Sequence, residues 1–402
     1  MKKTVIYIII LYFVHGVINN LGHPITPAFV RGLEIPNYMF GFFYATMSFG
    51  LMIAAPIWGI IADRGKKRFV MVLGLIIYSI GQFGFAYSGN MYWMVFYRFV
   101  SGFGVAASMT LFVSHMIEVS KPEKRAKNLA WLAASLALGA SVGYKLGGFI
   151  STNPKIVELL YTSDLRVVFL IQGIANLVYA IFVFMLIKES DILKHATKKP
   201  TMIESFKNIK NINFNLLLFL ISLTFISVAI TNLSKYLDVY FDYLGYDSGD
   251  LGDFVFITGI VSIITSIFIV PIIIKLQKNL LIMIITQAIS IIVVLYVFRS
   301  NNFILAVYTI YMIYVIAKAI YQPLEQNFIA DNANEGYFSS IMGVRQSFYS
   351  VGMIIGPLIG GFLYESAPIK VFDFSAIMIA VGLVLMLIVY VRIKKNSDLV
   401  NS

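Results

Sequence analysis

The sequence predicts an all-α membrane protein in which twelve transmembrane helices form two pseudo-symmetric six-helix bundles. Hydrophobic residues make up 59% of the 402 residues and charged residues 13%, whereas soluble domains carry about 25% charged residues. Many apolar runs reach the roughly 20 residues that a helix needs to cross a bilayer. A glycine-rich segment also recurs 213 residues further along the chain. Only lipid can solvate a surface of this composition.

The apolar runs place twelve helices, which we number α1 to α12 in chain order. The first run follows Lys2 and Lys3 as in a signal peptide, but it lacks a small-residue cleavage site, so we expect it to remain as α1. Residues 1–188 are predicted to form the N-terminal half, 189–213 a polar linker and 214–402 the C-terminal half. The predicted helices span residues 4–30, 37–62, 68–88, 91–118, 127–150, 166–187, 214–243, 249–274, 279–298, 302–330, 340–364 and 371–392.

The basic residues predict the orientation of the helices. An even number of helices puts both termini on one side, and that side carries 21 of the 31 lysines and arginines, against 5 on the other. By the positive-inside rule both termini of this multi-pass protein are cytoplasmic, in the cell membrane. The net charge of +11 thus lies mainly in short loops that attract anionic headgroups, and we expect no nucleic-acid partner.

The repeated segment lies in α5 and α11, where residues 139–149 match residues 352–362. The same offset pairs Glu118 with Asp331 at the ends of α4 and α10. Repeated helical halves around a central site are typical of secondary transporters. Small residues four apart let helices approach closely, and proline bends a helix; plain tight packing is the alternative role. The predicted packing residues are Pro24 and Pro27 at the end of α1, together with Gly139, Gly143, Gly147, Gly148, Gly356, Pro357, Gly360 and Gly361.

A basic loop between α2 and α3 predicts a gate. It carries an aspartate, Asp63, at the end of α2, where a carboxylate can cap the amino end of α11, whose positive dipole faces the same side. Lys275 occupies the corresponding position of the second half, so we expect an asymmetric gate. A basic turn that only obeys the positive-inside rule is the alternative. The predicted gating residues are Gly59, Asp63, Arg64, Gly65, Lys66, Lys67 and Arg68.

This loop resembles the signature loop of the major facilitator superfamily, Gly-x-Leu-Ala-Asp-Arg-x-Gly-Arg-Lys, although Gly65 comes one residue early. The segment around Arg98 in α4 is similar to the family's arginine motif. Pro24 and Pro27 at the end of α1, with the glycines of α5, are similar to its twelve-helix drug/proton antiporter branch. Helix α5 departs from that branch at Lys145, because Tyr144 and Lys145 follow Gly143 where Gly-Pro is usual.

The resemblance implies the major facilitator fold, transport by alternating access and a part for Arg98 in proton coupling. Snorkelling of Arg98 toward the helix end is the alternative. Other candidate proton carriers are His15, Asp238 and Glu325.

Polar residues at three- and four-residue spacing on α1, α4, α7 and α10 predict a central cavity lined by these helices. A lysine deep in the bundle, such as Lys145 or Lys318, must meet a carboxylate or lose its proton; Asp238, Glu325 and Glu118 are candidate partners. His15 could instead bond a backbone carbonyl, and Lys235 could pair with Asp238. The predicted cavity residues are Tyr12, His15, Asn19, His23, Lys145, Thr231, Lys235, Tyr314, Lys318 and Gln322.

The sequence contains no cysteine, no metal-ligand spacing, no nucleotide-binding loop and no hydrolytic motif. We therefore expect a transporter and not an enzyme, without cofactors and driven by protons instead of ATP. Its expected activity is the export of amphipathic organic compounds by a monomer, with protons and membrane lipids as further partners. One alternative is transport of an anionic metabolite or acidic lipid that binds Lys145 and Lys318. Another is a non-transporting sensor on the same scaffold.

Overall fold

A computed structural model describes residues 3–26, 29, 33, 38–152, 155, 158, 164–187, 212–246, 248–332 and 337–401. Twelve helices lie in these ranges, and residues 189–211 of the predicted linker lie outside them. Helix α8 contains a π-helical turn, Thr265–Ile269, and α10 is interrupted at Thr309. The helices are α1 Lys3–Asn20, α2 Tyr38–Ile61, α3 Lys67–Tyr87, α4 Met91–Val119, α5 Pro122–Thr152, α6 Arg166–Leu186, α7 Phe214–Tyr243, α8 Ser248–Ile264 continued by Val270–Ile274, α9 Asn279–Val297, α10 Phe303–Tyr308 continued by Ile310–Asp331, α11 Phe338–Ser366 and α12 Pro368–Asn401.

Helix α1 ends ten residues earlier than predicted, at Asn20. Its last carbonyls are satisfied from outside the helix, because the Gln172 side chain of α6 donates to Ile18 O at 2.9 Å and to Asn19 O at 2.8 Å. Pro24 then disfavours helical backbone at the residue before it and offers no N–H. The chain continues through a turn at residues 21–25. Pro27 lies outside the described residues.

Eleven apolar helical stretches of the described chain are long enough to cross a membrane. One of them, Phe42–Tyr87, contains both α2 and α3, because the chain reverses without a long polar loop. The reversal occurs at Gly65, whose φ of 83° lies in the left-handed region that favours glycine. The eleven stretches therefore correspond to twelve helices.

The repeated glycine segment packs in the same way in both halves. Helix α5 packs on α1, and α11 packs on α7. A Cβ atom at Gly143 would overlap the backbone carbonyl of Val17, and one at Gly356 would lie 3.0 Å from Val228 O. Gly139 and Gly147 approach the carbonyls of Phe13 and Leu21 in the first half, and Gly360 approaches Tyr236 and Asn232 in the second.

The remaining members of the predicted packing set have lesser roles. A Cβ atom at Gly148 would meet nothing within 4 Å, and one at Gly361 would lie 3.4 Å from the Tyr236 hydroxyl. Pro357 O accepts a hydrogen bond from that hydroxyl at 2.7 Å. The close approach in each half therefore depends mainly on three glycines spaced four residues apart: Gly139, Gly143 and Gly147 in the first half, and Gly352, Gly356 and Gly360 in the second.

The two halves meet along α2 and α11 and along α5, α8 and α10. We call the side of the bundle that carries the chain termini the terminal face, and the other side the opposite face. Toward the terminal face α2 and α11 touch closely, since Gly59 and Gly343 leave no space for a Cβ atom against the facing backbone. Ser347 Oγ donates to Met52 O of the other half at 2.5 Å. The halves are therefore closed at the terminal face.

Candidate functional site: a central cavity closed at the terminal face

A cavity of about 460 Å³ lies between the two halves, on the opposite-face side of the closed contact. Its size falls within the range of roughly 300–1,000 Å³ typical of small-molecule sites. Among the described residues, nine helices contribute to its wall: α1 to α5, α7, α8, α10 and α11. The predicted cavity residues that line it are Asn19, His23, Lys235, Tyr314, Lys318 and Gln322.

Three predicted cavity residues are buried behind this wall and do not line it. His15 is fully buried, stacks on Tyr12 with ring centroids 5.7 Å apart, and receives a hydrogen bond from the Asn19 amide at 2.8 Å. Thr231 is buried in the C-terminal bundle. A polar stripe on a helix therefore did not distinguish the cavity surface from the interior of the bundle.

Lys145 corrects our expectation of a lysine deep in the bundle. Its side chain is 61% exposed, lies 3.4 Å from the carboxylate of Asp253 and faces the ring of Phe256. The pair bridges α5 and α8 outside the cavity wall. Tyr144 lines the cavity instead and stacks on His23 with ring centroids 5.8 Å apart.

Five helices that the sequence did not select also line the cavity: α2, α3, α5, α8 and α11. Their contributions are aromatic, apolar or small, including Tyr44, Phe254 and Tyr349. Helix α4, which was selected, contributes only Val105 and Met109. A search for polar stripes misses wall positions of this kind, because an aromatic wall has the same composition as a lipid-facing helix.

Lys318 lies midway along α10 and faces the cavity. In the described part of the chain its ammonium group has no hydrogen-bond or ion-pair partner. Tyr314, one turn earlier on the same wall, is 5% exposed, and its hydroxyl also has no partner there. A charged residue at this depth costs about 2.5–3.5 kcal/mol on insertion scales. The wall therefore presents an ammonium group and a hydroxyl that no described side chain satisfies.

Glu325 is occupied by a different partner from those we considered. Arg345 of α11 donates to both of its carboxylate oxygens, at 3.0 and 2.7 Å, and Glu325 is fully buried. The guanidinium group also lies 4.9 Å from the ring centroid of Tyr349, which lines the cavity. The ion pair thus sits directly behind the cavity wall. The sequence signal for Arg345 was its position inside an apolar helix.

Arg98 is buried in the N-terminal bundle and does not line the cavity. Its guanidinium group lies 3.6 Å from the ring centroid of Phe85 and 5.8 Å from that of Phe169. Such cation–π contacts are strongest where water is absent. Two aromatic rings therefore contact this arginine. The side chain of Asp238, another predicted proton carrier, lies outside the described residues.

Asp63 caps the amino end of α11. Its carboxylate accepts hydrogen bonds from Ser339 N at 3.0 Å, Ser340 N at 2.7 Å and Ser340 Oγ at 2.5 Å. Helix α11 begins at Phe338, so both amides belong to the first turn, where N–H groups lack partners within the helix. The carboxylate is fully buried. It therefore links the α2–α3 turn of one half to a helix of the other.

The basic residues of the same turn have separate roles. Lys67 is buried, and its ammonium group lies 2.5 Å from Glu118 and 2.9 Å from Ser114 Oγ, both on α4. Arg68 lies over the ring of Phe184, whereas Arg64 and Lys66 are exposed. Although Gly65 comes one residue earlier than in the signature loop of the family, one lysine of the loop still contacts α4.

A second ionic contact joins the halves at the terminal face. Arg125, near the start of α5, donates to Asp331 at the end of α10 at 2.7 Å. Asn327 donates to the other carboxylate oxygen at 2.8 Å, and the guanidinium group lies 5.6 Å from the ring centroid of Phe338. The Asp331 side chain is 51% exposed, so this contact is more open to solvent than the Asp63 cap.

Comparisons with known proteins agree with this architecture. The family model described as "Major Facilitator Superfamily" matches residues 8–278 and 217–402. The quinolone resistance protein NorA of Staphylococcus aureus is 23% identical over 382 residues, covering 93% of this chain and 92% of the relative. Multidrug resistance protein 2 of Bacillus subtilis is 22% identical over 396 residues, covering 95% of this chain and 96% of the relative.

Solved structures share the fold at lower sequence identity. The human organic anion transporter TETRAN is 15% identical, with a TM-score of 0.74 over 96% of this chain and 99% of that one. The transporter FucP in its outward conformation is 16% identical, with the same TM-score and the same coverage. The match of the family model, together with the two pseudo-symmetric bundles, identifies this chain as a member of the Major Facilitator Superfamily.

Proposed function

We propose that this protein is a secondary transporter that exports amphipathic organic compounds by alternating access, in exchange for protons. The observation that carries the proposal is the cavity at the centre of the bundle, which is shared by both halves and closed at one face. A site of this kind can open to either side when one half rocks against the other. The relatives named for quinolone and multidrug resistance support export of organic compounds.

The gate in this proposal is the cap that Asp63 places on α11. Rocking of the halves toward an opening at the terminal face must pull Ser339 and Ser340 away from the carboxylate. The buried ion pair of Lys67 with Glu118 would hold the turn in its present position on α4. The cap on α11 would therefore stabilise the closed terminal face and be lost when that face opens.

The ion pair of Glu325 with Arg345 is the proposed site of proton coupling. It is buried, it is next to the cavity, and it joins α10 to α11. A proton on Glu325 would remove the charge that holds Arg345, so protonation would free the guanidinium group beside Tyr349. Arg98 and His15 lie further from the cavity surface, and their part in coupling would be indirect.

The proposed orientation places the terminal face in the cytoplasm of a bacterial cell membrane. Exposed basic residues at that face, including Arg64, Lys66, Lys121 and Lys124, support it. The same charges would contact anionic lipid headgroups. One chain supplies the described residues on both sides of the cavity, so we propose that the monomer is the transporting unit. In this proposal it works without a cofactor.

Transport under an imposed pH gradient tests the proposal. We expect purified protein in proteoliposomes to accumulate a lipophilic dye at a rate that depends on the gradient. Replacing Glu325 with glutamine keeps the shape but removes the titratable charge, so gradient-driven uptake should fall at least tenfold. Dye binding to the same variant should remain, because Glu325 lies behind the cavity wall.

Glu123→Gln is the matched control, since Glu123 is exposed at the start of α5. It should transport like the wild type. Equal uptake with and without the gradient would exclude proton coupling. No movement of any organic cation or anion would exclude transport and favour the sensor alternative.

A further inference from the structure

Among the residues that the structure describes, the charged side chains on the cavity wall are all of one sign. The described residues that line it include two lysines, Lys235 and Lys318, and no aspartate or glutamate. Glu325, the acidic side chain just behind the wall, is held by Arg345. A lipophilic cation entering this cavity would meet two ammonium groups and no described carboxylate.

The two lysines differ in their environment. Lys235 lies over the ring of Tyr44, with the ammonium group 4.8 Å from the ring centroid. Lys318 has no hydrogen-bond or ion-pair partner in the described part of the chain, although it is at the middle of the span. An ammonium group in such a position calls for a counter-ion. No described side chain supplies that charge, whereas an anionic ligand in the cavity can.

A second unpaired donor lies beside Lys318. Tyr314 precedes it by one helical turn, so both side chains project from the same face of α10. The Tyr314 hydroxyl is buried without a partner. A carboxylate or sulfonate oxygen pair can accept from an ammonium group and a hydroxyl at the same time. Gln322, one turn after Lys318, offers a further amide donor on the wall.

The rest of the wall is aromatic and apolar. Tyr44, Tyr78, Phe254 and Tyr349 surround a volume of about 460 Å³. Pockets of this composition bind the ring systems of organic ligands, while a few polar groups fix their orientation. This volume suits one drug-sized molecule.

We infer that Lys318 and Tyr314 form an anion subsite, and that the cargo is an amphipathic organic acid whose carboxylate or sulfonate group binds there. The inference rests on the proposed transport function, because it takes this cavity as the place where cargo binds. It makes the protein selective for organic anions over organic cations of similar shape. An acidic lipid headgroup would carry the same charge, so the experiment must separate the two sources.

The test uses two fluorescent ligands that differ only in charge, dansylglycine and its neutral amide, dansylglycinamide. Binding is measured with purified protein in nanodiscs of phosphatidylcholine. We expect the wild type to bind the acid at least tenfold more tightly than the amide. Lys318→Gln should weaken binding of the acid to the level of the amide and leave binding of the amide unchanged. Lys318→Arg should restore the preference, and Tyr314→Phe should reduce it about threefold to tenfold.

Lys145→Gln is the control, because Lys145 is exposed and outside the cavity wall. It should leave the affinity for both ligands unchanged. Equal affinity of the wild type for acid and amide would overturn the inference, and so would an equal loss of both ligands in Lys318→Gln. Phosphatidylglycerol in the nanodisc should not compete with dansylglycine; competition that vanishes in Lys318→Gln would assign the subsite to lipid and also overturn it.

Failure of this inference is distinguishable from failure of the proposed function. Gradient-driven transport of a cationic dye that depends on Glu325 but not on Lys318 would preserve the proton-coupled exporter and remove the anion subsite. Absence of all transport, with intact binding of dansylglycine, would preserve the anion subsite and exclude the proton-coupled exporter.

Discussion

The two halves form different contacts at the terminal face, although they descend from the same repeated pattern. In the first half, the turn after α2 supplies Asp63, which caps α11 of the second half with three buried hydrogen bonds. In the second half, Lys275 follows α8 at the corresponding place, and α5 receives no such cap from it. Instead Arg125 of α5 reaches Asp331 of α10.

The difference follows from charge and burial. A carboxylate stabilises a helix amino end, whereas a lysine there would face the positive end of the dipole. The Asp63 carboxylate is fully buried, while the Asp331 side chain is 51% exposed. Hydrogen bonds to a buried charge contribute about 1.5–3 kcal/mol each, but an exposed ion pair contributes about 0–1 kcal/mol. Most of the closing energy should therefore come from the Asp63 contact.

The largest expected effect follows from Asp63→Asn. An amide cannot accept from all three donors, so we expect the closed terminal face to lose about 3 kcal/mol, roughly a hundredfold in population. A cysteine in place of Ser350, which is fully buried on α11 about one turn beyond the Ser347 contact, should then react with a maleimide from the terminal face at least tenfold faster. The chain has no other cysteine, so the label is specific.

Asp373→Asn is the control for this experiment, because Asp373 is half-exposed and pairs with Arg299 at the opposite face. It should not change the labelling rate. An unchanged rate in Asp63→Asn as well would mean that the cap on α11 does not hold the terminal face closed.

A smaller effect is expected from Arg125→Gln. Its partner is half exposed, so loss of the pair should cost about 0.5–1 kcal/mol and raise the labelling rate of the Ser350→Cys reporter by no more than about fivefold. A double-mutant cycle with Asp331→Asn measures the coupling energy directly. A coupling energy above about 2 kcal/mol would show that the two contacts are equivalent in strength and would break the comparison.

The smallest effect is expected from Lys275→Asp, which makes the two turns more alike. The end of α8 packs against α5, so a carboxylate there can interact with the amino end of α5. A carboxylate near a helix amino end contributes about 0.3–1 kcal/mol, and we expect reporter labelling to slow about twofold to fivefold. Lys278→Asp is the control for charge alone. Faster labelling in Lys275→Asp would mean that this turn plays no capping role even with the correct charge.

Much of the fold could be predicted from the sequence, because a bilayer requires long apolar runs and the repeat gives the same glycine spacing twice. The correction at α1 came from Gln172, a side chain of α6 that accounts for the last carbonyls of α1. Because Gln172 lies about 150 residues from the end of α1 in the sequence, this contact leaves no pattern in the residues around Asn20. The early end of α1 was therefore not predictable beyond the signal that Pro24 provides.

The candidate site was less predictable than the fold. The contact of Asp63 with α11 could be anticipated, since helix dipoles have a known direction. The partner of Glu325 could not, because sequence spacing does not tell whether Arg345, Lys318 or Lys145 lies nearest. The aromatic wall formed by Tyr44, Phe254 and Tyr349 was also missed, since aromatic residues make up 15% of the whole chain.

The short turn at Gly65 has a consequence for the synthesis of the protein. Residues 42–87 form one apolar stretch, interrupted only by the few residues around this turn. A nascent segment of this kind has no loop long enough for α2 and α3 to enter the bilayer in separate events. In the proposed orientation, we expect the two helices to insert together as a hairpin, with the basic turn remaining on the side from which the chain is delivered. The topology of the proposed gate would then be set during translation, before α11 has been made.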